Sequence, residues 1–278
     1  MALKKFSVYF ARPANKAEGT TFAELLQNAF NLHGEHLPSA NVEGERYQIR
    51  SLQKVGTVWL GTFARLRDDA PNYVNGQNVE QEIQLEDGAA VIEKCYFQYR
   101  TLNEVVVWQL QKTAGSLNRA QIYLSEVLGQ PIFLPQLMNN EELENLLANN
   151  VYEIDFAYAR PPALPDGVSQ WSRRAFDIMS DVHAAFAKFT LRADRGGFLA
   201  NASKDIVRTM SGGNGFKKIK IRLTSDSDPV KLFLAPLRDE FTIEFLGRYA
   251  PAALVYQGLE DAYVRQEPFI PVGNGAQP

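Results

Sequence analysis

Cysteine is nearly absent from this chain: Cys95 is the one thiol among 278 residues. A lone thiol closes no disulfide framework and supplies too few ligands for a Cys-based zinc site. It stands in an apolar, strand-like run with Val91, Ile92, Tyr96 and Phe97, where a small buried hydrophobe is expected. Long hydrophobic runs are missing as well. No stretch approaches the roughly 18 uncharged apolar residues that a bilayer span takes, and the opening MALKKFSVYFARP has no apolar signal core. A cytoplasmic protein with no direct membrane insertion is expected.

Histidine is scarce too, with only His33, His36 and His183. His33-Gly-Glu-His36 falls at an expected helix end, where the glycine breaks the spacing that paired ligands need and no third ligand is near. His183, close to Asp181, reads as a structural or surface histidine. No nucleophile with a His and an acid partner can be assembled from order along the chain. The sequence therefore assigns no catalytic residue, no metal and no cofactor, and an enzyme is not the expected class.

Net charge is small, at -3 from 29 basic and 32 acidic residues, but the charges are segregated. Residues 1–79 carry +2, 80–172 carry -8, 173–222 carry +7 and 223–278 carry -4. Between 186 and 222 lie nine cations: Lys188, Arg192, Arg195, Lys204, Arg208, Lys217, Lys218, Lys220 and Arg222. Only Asp194 and Asp205 oppose them there. Like charges gathered in a folded segment repel one another unless a polyanion offsets them, so all nine are candidate nucleic-acid contacts. The plainer alternative pairs this segment with the acidic quarter, inside one chain or across a dimer.

Hydrophobic content of 45% with 11% aromatics is that of a folding chain, and 278 residues suffice for two cores. Strands are expected at 6–10, 46–50, 57–64, 79–85, 91–99 and 105–110, and Thr21-Phe-Ala-Glu24 has capping-box spacing ahead of a helix that stops near Gly34. Ser116 can cap a helix ending on Gly129 and burying Ile122, Leu124 and Leu128, and 139–148 reads as an acidic helix. After a strand at 151–159, three prolines and a glycine fall within 160–167, the strongest domain edge in the chain. Beyond it, Trp171, Ala175, Ile178, Met179, Val182 and Phe186 keep helical spacing. A strand near 188–192, a short helix at 204–210, a three-stranded meander over 216–223, 230–234 and 241–245, and a helix over 251–265 complete the reading. The expected fold is α+β, with mixed, mainly antiparallel sheets and flanking helices in two lobes. Residues 1–160 would form an acidic lobe, 168–270 a basic lobe and 271–278 a disordered tail.

Within Lys217-Lys-Ile-Lys-Ile-Arg-Leu223, strand alternation puts Lys218, Lys220 and Arg222 on one face and Ile219, Ile221 and Leu223 on the other. Cations repeating at about 6.6 Å suit a track of phosphates, although lysines also guard solvated edge strands. Lys204 and Arg208 share a helix face at i, i+4. Other motifs are weaker. Ser211-Gly-Gly-Asn-Gly215 precedes a strand, not a helix, and reads as a hairpin connection more than a phosphate loop. Asp226-Ser-Asp228 before Pro229 reads as a turn. Glu82, Glu86, Asp87 and Glu93 with Lys94 lack the spacing of a nuclease core, because adjacent Glu93 and Lys94 point to opposite faces.

The element order resembles a known family. A polar strand at 6–10, the capped helix at 21–30, a hairpin, then Leu85-Glu-Asp-Gly-Ala-Ala-Val-Ile-Glu-Lys-Cys-Tyr-Phe-Gln-Tyr99, a partner strand and the Ser116 helix are similar to RexA-like phage-exclusion proteins. The B component of the Kiwa defence system is similar in the same way. The resemblance implies a cytoplasmic, homodimeric DNA binder that acts with a membrane-protein partner in phage–host conflict. It rests on element order, so no functional residue is carried over. The leading expectation is a sequence-independent DNA-binding protein, on duplex DNA, of a defence, exclusion or counter-defence system, with no recognition helix for base readout. A protein-interaction or assembly subunit that docks an acidic partner is the alternative, and a metal-dependent nuclease the third.

Overall fold

A computed structural model of the chain describes residues 1–15, 20–69, 71–139, 141–159, 170–194, 197–201, 203–204, 207, 216–232, 236–247 and 249–270. The fold is α+β, with antiparallel sheets flanked by helices in two lobes. In the first lobe the strands β1 (Ala2–Ala11), β3 (Ala40–Val42), β4 (Glu45–Val55), β5 (Val58–Arg67), β8 (Val91–Arg100), β9 (Val105–Gln109) and β15 (Arg238–Phe245) make a seven-stranded sheet in the order β15-β1-β9-β8-β5-β4-β3. The short pair β2 (Ala14–Asn15) and β10 (Ile132–Phe133) lies beside it.

Helices cover both faces of that sheet. On one side α1 (Phe22–His33) and α2 (Leu117–Val127) bring Phe22, Leu26, Tyr123 and Leu124 onto Tyr47, Trp59, Phe63, Tyr99 and Trp108. Helix α1 starts as its spacing predicts. Thr21 Oγ1 accepts from the Glu24 amide at 3.2 Å, and Glu24 Oε2 accepts from the Thr21 amide at 2.7 Å. Gly34, at φ 70°, ends the helix in the left-handed region that glycine enters at least cost. Helix α2 buries Tyr123, whose hydroxyl donates to Pro38 O at 2.8 Å, and leaves Ile122 exposed, contrary to the expectation for Ile122.

The opposite face packs under α5 (Ala252–Gln266), through Val255, Leu259, Ala262 and Tyr263 on Phe6, Val8, Phe10, Val105, Val107, Phe241 and Ile243. Gly258 is required here, because a Cβ would overlap the Phe241 ring. Arg100 and Glu260 form a two-pronged ion pair at 2.6 and 2.8 Å that ties α5 to β8. Burial from both sides explains why β9 reads Val-Val-Val-Trp-Gln with all five residues buried.

The second lobe is inserted between Met138 and Pro236, whose backbones bridge, with the Leu237 amide donating to Leu137 O at 2.7 Å. It holds α3 (Glu141–Leu147), β11 (Glu153–Ala159), α4 (Gln170–Asp181), β12 (Phe186–Arg192), β13 (Phe216–Arg222) and β14 (Val230–Leu232). Its four strands run in the order β12-β11-β13-β14. Ile154, Phe156, Ile219 and Ile221 meet Leu143, Leu147, Met179 and Val207 on one face.

This arrangement corrects the expected lobes at 1–160 and 168–270. The proline-rich segment 160–167 lies outside the described residues, but β11 before it and α4 after it share one core, so it is no boundary between lobes. Nor do 241–245 complete a meander: β15 pairs with β1, eight residues deep, because Phe241, Ile243 and Phe245 extend the apolar row of Phe6. On α4 the buried phase is Ala175 and Met179, while Ile178 and Val182 are exposed and Phe186 opens β12. The charge division changes too. Residues 141–232 carry thirteen basic and twelve acidic groups, so the basic character belongs to one face and not to a whole lobe. The helix expected at 204–210 and the turn at 211–215 are largely outside the described residues, as is the tail. No helix among the described residues is long and apolar enough to cross a membrane.

Candidate nucleic-acid interface

The inserted sheet has a second face, built by simple alternation. On β12, Phe186, Lys188, Thr190 and Arg192 are exposed while Ala187, Phe189 and Leu191 turn inward. On β13, Ile219 and Ile221 are fully buried, so Lys220 and Arg222 fall on the side away from the core. On β11, Ile154 and Phe156 take the core side, which leaves Glu153 and Asp155 among the cations. Register then sets the rows. Glu153 lies between Arg192 and Arg222, Asp155 between Thr190 and Lys220, and Ala157 between Lys188 and Lys218. Lys231 of β14 is opposite Lys220.

Carboxylates and cations sit at different depths. Lys188 Nζ is 3.2 Å from Asp155 Oδ2, and Arg192 Nε donates to Glu153 Oε2. The side chains of Asp155 and Glu153 are 15% and 11% exposed, those of Lys188 and Arg192 63% and 59%. The cations therefore roof the acids and meet solvent first. Recessed acids hold the cationic side chains down by charge-assisted hydrogen bonds and cancel part of their field. Asp155 Oδ1 and Arg222 Nε are buried without a hydrogen-bond partner among the described residues, while Arg222 Nη1 donates to Ser225 O at 3.4 Å.

Of the nine expected contacts, the structure brings Lys188, Arg192, Lys220 and Arg222 onto one face. Lys218 joins their register by its backbone, and Lys217 falls at the bulge where β11 and β13 shift register. Arg195 and Arg208 lie outside the described residues. Lys204 is a correction. It is 8% exposed, and its ammonium donates at 2.7 Å to Asn149 O just beyond α3. There it satisfies a carbonyl past a helix end, which removes it from the phosphate track. Nor is β13 a lysine-guarded edge, since it lies between β11 and β14. Glu153, Asp155 and Lys231 were missed, although the alternation Glu-Ile-Asp-Phe at 153–156 announces two acids on one strand face.

The remaining motifs stay apart. Glu93 is engaged by Arg65 and Arg67 at 3.5 and 3.0 Å, while Glu82 is exposed on a separate hairpin. Ser227 closes the turn at Asp226–Asp228 by bonding Thr224. His36 Nδ1 accepts from the Ser51 amide at 3.2 Å. Buried Cys95 has its thiol pushed up by desolvation, as suits a core position. No protein-family model matches the chain, and no curated protein matches it.

Proposed function

We propose that the open face of the inserted sheet binds nucleic acid through its phosphates, without reading sequence, and that duplex DNA is its partner. The observation that carries this reading is the pair of depths, with Lys188 and Arg192 lifted over nearly buried Asp155 and Glu153. A polyanion laid on such a face meets cations before acids, in rows set by strand spacing. The described face presents backbone-scale charge and no helix to enter a groove, so contacts would position DNA and not specify bases. The resemblance in element order supports a cytoplasmic, homodimeric protein of phage exclusion, defence or counter-defence, acting with a membrane-protein partner.

Salt titration of duplex binding tests the reading. With about four phosphates neutralised, the logarithm of affinity should fall against log salt with a slope near -3.6. Lys218→Glu with Lys220→Glu should abolish binding while the melting temperature stays near that of the parent. Affinity that is flat with salt, or a double variant that binds like the parent, would remove the polyanion. The engagement of two face cations by carboxylates favours a second reading, in which an acidic protein surface is the partner.

A further inference from the structure

Strands β6 (Asn72–Val74) and β7 (Glu80–Glu82) form a separate two-stranded hairpin between β5 and β8, and all six of their residues are exposed. Its geometry is fixed from within. Asn75 Oδ1 accepts from the amides of Gln77 and Val79 at 2.9 and 3.0 Å, Asn72 Nδ2 donates to Glu80 Oε1 at 2.6 Å, and the Tyr73 hydroxyl donates to Gln81 Oε1 at 2.7 Å. Two-stranded ribbons are marginal in water on their own. This one also holds Tyr73, Val74, Val79 and Ile83 in solvent at 46%, 62%, 50% and 38% exposure. Residues 72–90 contain four acidic groups, Glu80, Glu82, Glu86 and Asp87, and no basic one.

The inserted sheet offers the complement: a face on which Lys188 and Arg192 are 63% and 59% exposed, with an exposed aromatic, Phe186, at 52%. Spacing agrees as well as sign on β13: Glu80 and Glu82 repeat at i, i+2 along a strand, the same interval of about 6.6 Å that separates Lys220 from Arg222. Among the described residues no ion pair joins the hairpin to a cation of its own chain's face. We propose that the occupant of the basic face is the acidic hairpin of a second copy. Two copies related by a two-fold axis exchange hairpins reciprocally, which makes the contact twice. The apolar side chains of the ribbon then leave water against Phe186 and its surroundings. On the reading that this face binds DNA, a consequence resting on that proposal, the dimer masks its own DNA site, and DNA must displace the hairpin.

Light scattering of the full chain tests the exchange. A dimer is expected near 0.1 M salt that loosens toward 1 M, as the screening length falls from about 10 to about 3 Å. Glu80→Lys with Glu82→Lys, on a fully exposed ribbon, should give a folded monomer. Lys188→Glu with Lys220→Glu should also dissociate, and an equimolar mixture of the two variants should recover dimers, because each reversed hairpin then meets a reversed face. A parent that is monomeric at low salt, a dimer that survives hairpin reversal, or a mixture that stays monomeric overturns the proposal. The hairpin variant should bind duplex DNA at least tenfold more tightly than the parent. A monomer with no such gain keeps the exchange and sinks the DNA reading instead.

Discussion

The two larger sheets of this protein differ in how many faces pack an apolar core, and that difference separates a scaffold from a charged surface. The seven-stranded sheet packs apolar side chains on both faces, against α1 and α2 on one side and α5 on the other, so its apolar positions serve two cores. Among the described residues, the inserted four-stranded sheet packs an apolar core only on its Ile154, Phe156, Ile219 and Ile221 side. Its other side is free to hold charges that would be ruinous in a core. Inserting such a sheet at a point where entry and exit bridge, at Met138 and Pro236, adds a charged face without opening the scaffold.

The largest expected effect breaks the comparison at its cores. Phe63 is fully buried, stacked on Tyr47 at 5.0 Å between ring centres and near Trp108 and Tyr123. Phe63→Ala should cost about 3–5 kcal/mol in urea unfolding. Phe189, half-buried on edge strand β12 against Phe156, should cost roughly half as much when changed to Ala. Equal losses would mean that the edge strand β12 is buried as deeply on its core side as the centre of the seven-stranded sheet, and the contrast between the two cores would vanish.

The second expected effect acts on the charged face alone. Glu153→Gln with Asp155→Asn keeps hydrogen-bonding shape but removes two recessed negative charges and releases Lys188 and Arg192. Duplex DNA should bind about tenfold more tightly at moderate salt, with the salt slope steeper by about one to two units. A change confined to stability, with affinity unmoved, would show that polyanions do not reach this face.

Much of the fold was legible because local signals and tertiary packing agreed. The Thr21 capping box, Ser116, and the alternation of β8 and β13 each name an element that the structure contains. What misled was partnership. Phe241, Ile243 and Phe245 look like the third strand of a meander, and nothing local says that their hydrogen bonds go to β1, more than two hundred residues earlier. Proline density at 160–167 marks a break in regular structure, which is not the same as a break between cores. The candidate site was half legible: strand phase placed Lys220 and Arg222 correctly, while charge counting could neither see that Lys204 is spent on Asn149 nor that β11 brings Glu153 and Asp155 between the cationic strands. Counting sums a segment, whereas a sheet sorts it by face.

The smallest expected effect sharpens the comparison from the scaffold side, through pH. The Glu24 carboxylate is held below its ordinary value, first by the hydrogen bond from the Thr21 amide and then by the Thr21 hydroxyl. Lys5 and Ser7 lower Glu240 on β15 in the same direction. A carboxylate lowered in the folded state adds stability that is complete above its unfolded value, about 4.3 for glutamate, and is lost as pH falls through the folded value. Glu24→Gln keeps an acceptor for the Thr21 amide but cannot titrate. Its melting temperature should sit slightly below the parent's near neutral pH, and the two should converge below about pH 4. Thr21→Ala, which removes the hydroxyl cap at every pH, should cost about 1 kcal/mol with much less convergence. Both cap residues belong to the seven-stranded lobe, so neither change should move the salt slope of DNA binding. Parallel melting curves for parent and Glu24→Gln down to pH 3 would mean that the cap carries no charge-dependent stability, and a shifted salt slope would mean that the two lobes are coupled after all.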